Sequence, residues 1–553
     1  MKKLYLVILL LSTSQLLFSQ QIECNMTFSQ GNAQMQSDLV ASICGDMLNY
    51  TVYPDYNMTP IKKLRISFDI LQKTDGSGYN GTDTEITQYF SDFIDSVNIR
   101  LANLKILSPS VPSPHVIDSR IRYVLNKVCF YKSDNLYTYP SRASNYFFAI
   151  DSIYNSVILT RQDLSTIDKY NTLHLIMIPK FNDPAGGRAR GLSDNKWVVL
   201  KGYEYSFNWA ASKAVSIHEQ ADHLIHEVGH ALGLQHNFFE PPPKYPQCDD
   251  CGDNGCPAVA TSNNYMDYNW RNEYSFSECQ LAKMHYCLMG NYGTIKEDYI
   301  QDYCNFDNTQ SITIITGQDI TWNSSRNLLG NLSISGKLSI NCNISIPNAG
   351  KVFVNNGAKL ILSQGNFDNT CNNAWAGIEV QNGGYLELNS TSISDYSIDV
   401  KSGGTLRIIG GLTILGNNHI NIESGGYICV DNGITINLTD ALSVINLHNG
   451  YNLGVNTAFV TNPGTCNSIL STLNKIGSGY IYEFNDVFIQ NESTTGNQYI
   501  PGNNISAGTN VTNSKLQGPV VIKSGANVVF DADGNILLDK GFEVEPGASF
   551  ETK

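Results

Sequence analysis

From Lys63 the chain alternates. Leu64, Ile66, Phe68 and Ile70 are apolar, and Arg65, Ser67 and Asp69 between them are polar. That is the period of a strand with one face turned to a core. Between Thr82 and Leu104 the period lengthens, and Ile86, Phe90, Phe93, Ile94, Val97 and Leu101 fall on one side of a helix, with Asp83 near its start to suit the helix dipole. Ile121 to Leu125 reads as a strand, Leu173 to Pro179 as a more deeply buried one, and Trp197 to Leu200 as a short one. His174 is read as a strand residue with an ordinary hydrogen bond. A second helix is expected from His218 to Leu234.

After about residue 305 the pattern changes. Basic residues and histidine thin out, and Asn, Gly, Ser, Ile and Leu dominate. Gly383-Gly384 followed by Tyr385-Leu386-Glu387-Leu388 is echoed by Gly403-Gly404-Thr405-Leu406-Arg407-Ile408 and by Gly425-Gly426-Tyr427-Ile428-Cys429-Val430, at spacings of 20 and 22 residues. A looser copy stands at Asn356 to Leu362, and Trp375 to Val380 fits one more coil. Short alternating strands at this period predict a parallel β-helix-like solenoid, with a β-sandwich as the competing arrangement. No acidic pair stands out in the repeat, so a spacer or binding role, to cell-surface glycans or matrix, fits it better than a second enzyme. The last stretch, from Val520 to Phe550, has short strands of its own.

The start of the chain reads as an export signal: Lys2 and Lys3, then an apolar run from Leu4 to Leu11, then small and polar residues to Ser19. The run is too short to span a bilayer, and no later segment approaches that length, so no transmembrane anchor is expected. The expected plan is a signal peptide at 1–20, a candidate propeptide at 21–60, a strand-and-helix domain at 61–292, a β-solenoid-like repeat region at 305–450 and a C-terminal β module at 451–553. A chain of 553 residues suits two to four domains. The net charge of −14 argues against a general partner among nucleic acids or anionic membranes. Thirteen cysteines in an exported chain predict disulfides, and their odd number leaves at least one thiol otherwise employed. Cys248-x-x-Cys251 can also be read as half of a structural zinc site.

One short run carries chemistry directly. His226-Glu227-Val228-Gly229-His230-Ala231-Leu232-Gly233-Leu234-Gln235-His236 has the form H-E-x-x-H-x-x-G-x-x-H. His226 and His230 share one helix face and can reach one ion. Gly233 lets the backbone leave the helix sharply, and His236 then supplies a third nitrogen. Three neutral imidazoles leave a tetrahedral Zn²⁺ one open position, as in a catalytic site. Glu227 is placed to deprotonate a metal-bound water. His218 and His223 give no second such frame and are read as surface or packing histidines, with a supporting role for the site as the alternative.

Further on, Asn264-Tyr265-Met266-Asp267-Tyr268 matches the methionine turn that follows this motif in metzincins. With Phe276, Ser277, Gln280 and Met284, the chain resembles a metzincin zinc metallopeptidase, most similar to the pappalysin family, over roughly residues 60–290. The resemblance implies a metzincin-like α/β catalytic domain cutting protein or peptide substrates. It implies that Met266 forms a floor under the zinc and that Tyr268 ligates zinc or stabilises the oxyanion. It implies an edge strand above the metal, for which 186–191 is the candidate beside a plain glycine-rich turn. It also raises Cys44, in Cys44-Gly45, as a zymogen switch whose thiolate blocks the zinc, with a disulfide as the alternative. Asp249, Asp250 and Asp253 are candidate ligands of a structural Ca²⁺, beside a solvated acidic turn. Pappalysins place a cysteine soon after the methionine turn, where this chain has Asn269 and Trp270. Asp267, Glu273 and Arg271 are of mixed sign near the expected primed side, so no cleavage preference follows. The last residues resemble terminal β modules of exported Bacteroidota proteins. The function expected is a secreted zinc endopeptidase; the alternative is a surface or secreted adhesin or glycan-binding protein with a vestigial peptidase domain.

Overall fold

The computed structural model describes residues 44, 46–52, 58–79, 81–108, 115–142, 146–178, 187–189, 197–201, 209–234, 236, 261–268, 273–289, 300 and 304–553, save 364, 369–374, 395, 417, 440, 461–465, 467–473, 484–485 and 533 in that last span. The expected signal peptide lies outside the described residues. The chain divides into two compact units, Met1–Tyr303 and Cys304–Lys553. No helix among the described residues is long and apolar enough to cross a membrane.

The first unit is built on a five-stranded sheet. Its strands are β1 (Lys62–Gln72), β2 (Ile121–Lys132), β3 (Leu173–Ile178), β4 (Gly187–Ala189) and β5 (Trp197–Lys201), in the order β2-β1-β3-β5-β4. All pairs are parallel except β4 with β5, so the edge strand runs against the others. Helix α1 (Asp83–Leu101) starts at a capping box in which Thr82 and Glu85 satisfy each other's backbone N–H groups. It buries Ile86, Phe90, Phe93, Val97 and Leu101 against Leu64, Ile66, Phe68 and Ile70 of β1. Helix α3 (Trp209–Ala231) packs on the same face, contributing Leu224, Ile225 and Val228. Helix α2 (Tyr146–Ile153) and the π-helical turn Tyr154–Ile158 cover the other face, over Leu71, Cys129, Ile176 and Val199. Covering both faces is what a parallel sheet requires.

That second face carries a buried polar cluster. His174 Nδ1 lies 2.7 Å from Asp69 Oδ2, and the Tyr131 hydroxyl donates to Asp69 Oδ1 at 2.9 Å. His174 is thus a hydrogen-bonded strand residue, remote in the sheet from the zinc-motif face.

Residues before 61 take part in the core. Val52 is fully buried in it, and the Tyr50 ring stands edge-on to Tyr286 at 5.1 Å. Tyr286 lies on α4 (Glu278–Cys287), and Thr51 hydrogen-bonds Glu278 at its start. The rest of the expected 21–60 propeptide, up to residue 43, lies outside the described residues. Cys44 is disulfide-bonded. A cystine sulfur has no thiolate to offer a metal, so the zymogen switch expected at Cys44 is corrected to a structural disulfide. Cys279, Cys304 and Cys342 are also disulfide-bonded, and Cys429 pairs with Cys466. Cys129 is a free, buried thiol.

The second unit is rich in short strands, and every named pairing in it is parallel. One sheet stacks Asp319–Trp322, Lys337–Ile340, Lys359–Ser363, Tyr385–Asn389, Thr405–Ile408, Tyr427–Val430 and Asn452–Leu453 in chain order. Each strand pairs with the third one along, and the strands between belong to neighbouring sheets. Leu338, Leu360, Leu386, Leu406 and Ile428 therefore stand in register, one buried column running from rung to rung. The repeat glycines turn the corners: Gly383, Gly403 and Gly425 have φ of 74°, 79° and 77°. Their N–H groups form a ladder, Gly383 to Gly403 to Gly425 to Gly450. An antiparallel β-sandwich is not what these pairings make. An adjoining eight-stranded sheet continues to Tyr480–Glu483, past the boundary expected at 450. From Val487 three smaller three-stranded parallel sheets enclose a separate core of Ile505, Val520, Val528 and Phe530.

Candidate metal centre

Helix α3 ends where the motif needs it to. Gly233 has a φ of +87°, its N–H bonds the His230 carbonyl at 2.9 Å, and the Leu234 N–H reaches back to the Gly229 carbonyl at 3.0 Å. These two bonds are a Schellman cap, which calls for a left-handed residue at the position of Gly233. The cap stops the helix at Ala231 and turns the chain so that His236 returns to the face carrying His226 and His230.

The three imidazoles converge. The Nε2 atoms of His226 and His230 are 3.1 Å apart, those of His230 and His236 3.1 Å, and those of His236 and His226 3.3 Å. Among the described residues this is the one group of three or more His, Cys, Asp or Glu whose ligand atoms gather closely enough to hold a metal ion. Two backbone carbonyls set the tautomers. His226 Nδ1 faces the Tyr265 carbonyl at 2.6 Å, and His230 Nδ1 faces the Leu234 carbonyl at 2.9 Å. A carbonyl only accepts, so each Nδ1 carries the proton and each Nε2 presents a lone pair. Burial, reinforced by the neighbouring histidines, drives the His226 pKa well below its ordinary value, and burial with His230 alongside takes His236 down to about 3. Both rings are therefore neutral, as ligands must be. Zn–N bonds of about 2.0–2.1 Å in a tetrahedron would set their nitrogens roughly 3.3–3.4 Å apart. The observed spacing fits that group closely.

The methionine turn closes the site from below. Met266 is fully buried, with its sulfur against Gly229. Asn264 holds the turn: its Oδ1 accepts the Met266 N–H at 2.8 Å, and its Nδ2 donates to Gln280 Oε1 at 2.8 Å. Gln280 in turn belongs to the capping box that Ser277 makes at the start of α4. Asp267 Oδ2 accepts both the N–H and the hydroxyl of Ser262 at 2.7 Å. The same turn thus delivers the Tyr265 carbonyl to His226. Tyr268 is more than a third exposed, and its ring centre lies 4.7 Å from that of His236 and 5.7 Å from that of His226.

Glu227 is buried, with Oε1 3.3 Å from His223 Nε2 and Oε2 without a hydrogen-bond partner among the described residues. Glu273 is fully buried, and burial together with Asp267 pushes its pKa up to about 8, against the pull of Arg100. Arg100 forms a buried ion pair with Asp222, one turn before His226 on α3. The segment Gly187–Ala189 of the 186–191 candidate is the sheet's edge strand. Asp249, Asp250 and Asp253 lie outside the described residues, as do Cys248 and Cys251. Two roles escaped the sequence reading, the contact of Gly229 with Met266 and the hydrogen bonds of Asn264, whereas a supporting role for His223 stood there as the alternative. The Asn264 signal was present, since an Asn two residues before a turn residue caps it from the side chain.

No known protein family matches the chain, and no curated protein matches it. Among solved structures it is similar to mature mirolysin of Tannerella forsythia in complex with a cleaved peptide, at 18% identity and a TM-score of 0.30, over 43% of this chain and 96% of that one. A promirolysin mutant of the same organism is similar at 14% identity and a TM-score of 0.28, over 48% of this chain and 92% of that one. Likenesses at that level bear no weight for the fold or the function of this chain, which rest on its own residues.

Proposed function

We propose that the chain is a secreted zinc-dependent endopeptidase of the metzincin type, similar to pappalysins, with His226, His230 and His236 as metal ligands. The observation that carries this reading is the convergence of three lone-pair Nε2 atoms at 3.1–3.3 Å beside a buried glutamate. A zinc ion held there by the three imidazoles would supply Lewis acidity to the substrate carbonyl and the attacking water. Glu227 takes the proton of the attacking water at Oε2 and passes it to the leaving amine. Tyr268 donates its hydroxyl to the developing oxyanion. The backbone of Gly187–Ala189 offers an extended substrate peptide the free side of an edge strand, which holds the scissile bond still. Met266 and Gly233 support the ligands from beneath and behind. Disulfides at Cys44, Cys279, Cys304, Cys342 and Cys429–Cys466 support an oxidising, extracellular setting. We read the second unit as a parallel β-helix-like solenoid with a small C-terminal β module, which presents or tethers the enzyme.

The test is cleavage of a denatured-protein mixture by the purified protein beside Glu227→Ala. Cleavage by the parent and none by the variant, with zinc in both, is the expected result. Equal cleavage by both refutes Glu227 as the base, and zinc-loaded protein inert toward every denatured substrate refutes the general endopeptidase.

A further inference from the structure

The histidine one turn before the base is not a surface residue. His223 is buried, and its Nε2 stands 3.3 Å from Glu227 Oε1 along the same helix face. The distance is that of an ion pair, and the contact falls short of a well-formed hydrogen bond. The two oxygens of Glu227 are thereby made unequal. Oε1 faces His223, and Oε2 has no hydrogen-bond partner among the described residues. A glutamate's terminal torsion is broad and roughly two-fold, so an unheld carboxylate presents either oxygen at many angles. A base must keep one oxygen within hydrogen-bond reach of the proton it takes.

We infer that His223 is a positioning residue for Glu227: it engages Oε1, fixes the plane of the carboxylate and leaves Oε2 as the oxygen that accepts the proton. This rests on the peptidase reading above and adds to it a residue outside the H-E-x-x-H-x-x-G-x-x-H run. The gain is one of orientation, realised in the proton-transfer step and not in substrate binding. It therefore belongs in kcat and not in KM. A histidine serving only to pack the helix would show itself in stability or zinc content, and any apolar side chain of similar size would replace it.

The experiment compares the full chain with His223→Leu, which keeps the bulk and removes the N–H, and His223→Gln, which keeps a donor at similar reach. Both are assayed on one peptide that the parent cleaves, with zinc content and melting temperature measured alongside. Outer partners of metal-site groups are typically worth about 10–100-fold. The expected result is a kcat about 10–100-fold lower for His223→Leu, KM within about threefold, a full complement of zinc, and at least tenfold recovery in His223→Gln. Should the leucine variant fail to fold, His223→Asn serves in its place: too short to reach Oε1, it is expected to lose kcat where Gln does not. Parental kcat in a zinc-loaded His223→Leu or His223→Asn overturns the inference. So does an equal kcat loss in Gln and in the variant without reach. A parent as inert as Glu227→Ala refutes the peptidase reading itself, and an active parent beside an equally active His223→Leu refutes only the role of His223.

Discussion

The sulfur of Met266 lies where a β-carbon on Gly229 would have to go, 2.7 Å from its position. The helix that carries two of the candidate ligands and the turn beneath them are thus fitted to each other at a single atom. Gly229 lies within the helix, where alanine would ordinarily be worth about 1 kcal/mol. Adding a carbon to a filled core costs about 1–3 kcal/mol. Gly229→Ala is therefore expected to gain nothing in denaturant stability and to bind zinc more weakly in competition with a chelator. A variant that is more stable, with unchanged zinc affinity, would show that Met266 gives way freely.

Asn264 is expected to matter more than its distance from the histidines suggests. Its side chain holds the Met266 N–H and the Gln280 amide. Removing it leaves a buried donor unpaired, at about 1–3 kcal/mol, and loosens the carbonyl that orients His226. Asn264→Ala should lower zinc affinity by about 10–100-fold, the usual worth of such outer partners. Chelator titration checks this, and unchanged affinity would mean that the Tyr265 carbonyl is held by other bonds.

Glu273 sets a pH dependence. Its pKa rises from near 4.5 to about 8 on folding, through burial and the nearby Asp267. The folded chain then binds the proton more tightly than the unfolded chain does. The contribution is fully present below about pH 4.5 and is lost as the pH rises toward about 8. Glu273→Gln has nothing to lose over that range. Melting curves of parent and variant from pH 5 to 9 should separate in the variant's favour up to about pH 8. Parallel curves throughout would place an undisturbed carboxyl there.

Stability on the other face of the sheet depends on Asp69. Removing His174 takes the partner from Asp69 Oδ2 and leaves the Tyr131 hydroxyl on Oδ1, in a fully buried setting. Breaking a buried pair from one side costs about 3–5 kcal/mol. His174→Ala should lose about that much by denaturant unfolding while the folded fraction keeps the parent's zinc content. A loss below about 1 kcal/mol would show that Asp69 is neutralised in some other way.

Much of this architecture is legible in period and spacing. The alternation at Leu64 to Ile70 and the repeat glycines at Gly383, Gly403 and Gly425 mark strands, because one-sided burial and left-handed corners restrict residue choice. The helix expected at Thr82 to Leu104 ends at Leu101, and the one expected from His218 begins at Trp209, where the apolar period is weak. Helix α2 and the Tyr154–Ile158 turn were not expected, since eight and five residues are too few to establish a helical period. Among the site residues, the three histidines follow from spacing alone. Their tautomers do not, because these are set by the carbonyls of Tyr265 and Leu234, which any residue at those positions supplies. Cys44 illustrates the converse. A cysteine followed by glycine suits a metal-blocking thiolate in sequence, and only the fold shows it bonded to another sulfur.

In the proposed enzyme His226, His230 and His236 together hold one zinc ion. X-ray absorption at the zinc edge, on the full purified chain and on His236→Ala, tests this most directly. One zinc per chain is expected in the parent, ligated by nitrogen and oxygen at about 2.0–2.1 Å without sulfur, with that shell disrupted in the variant. A parent without zinc, or one whose zinc has sulfur neighbours at about 2.3 Å, would contradict it.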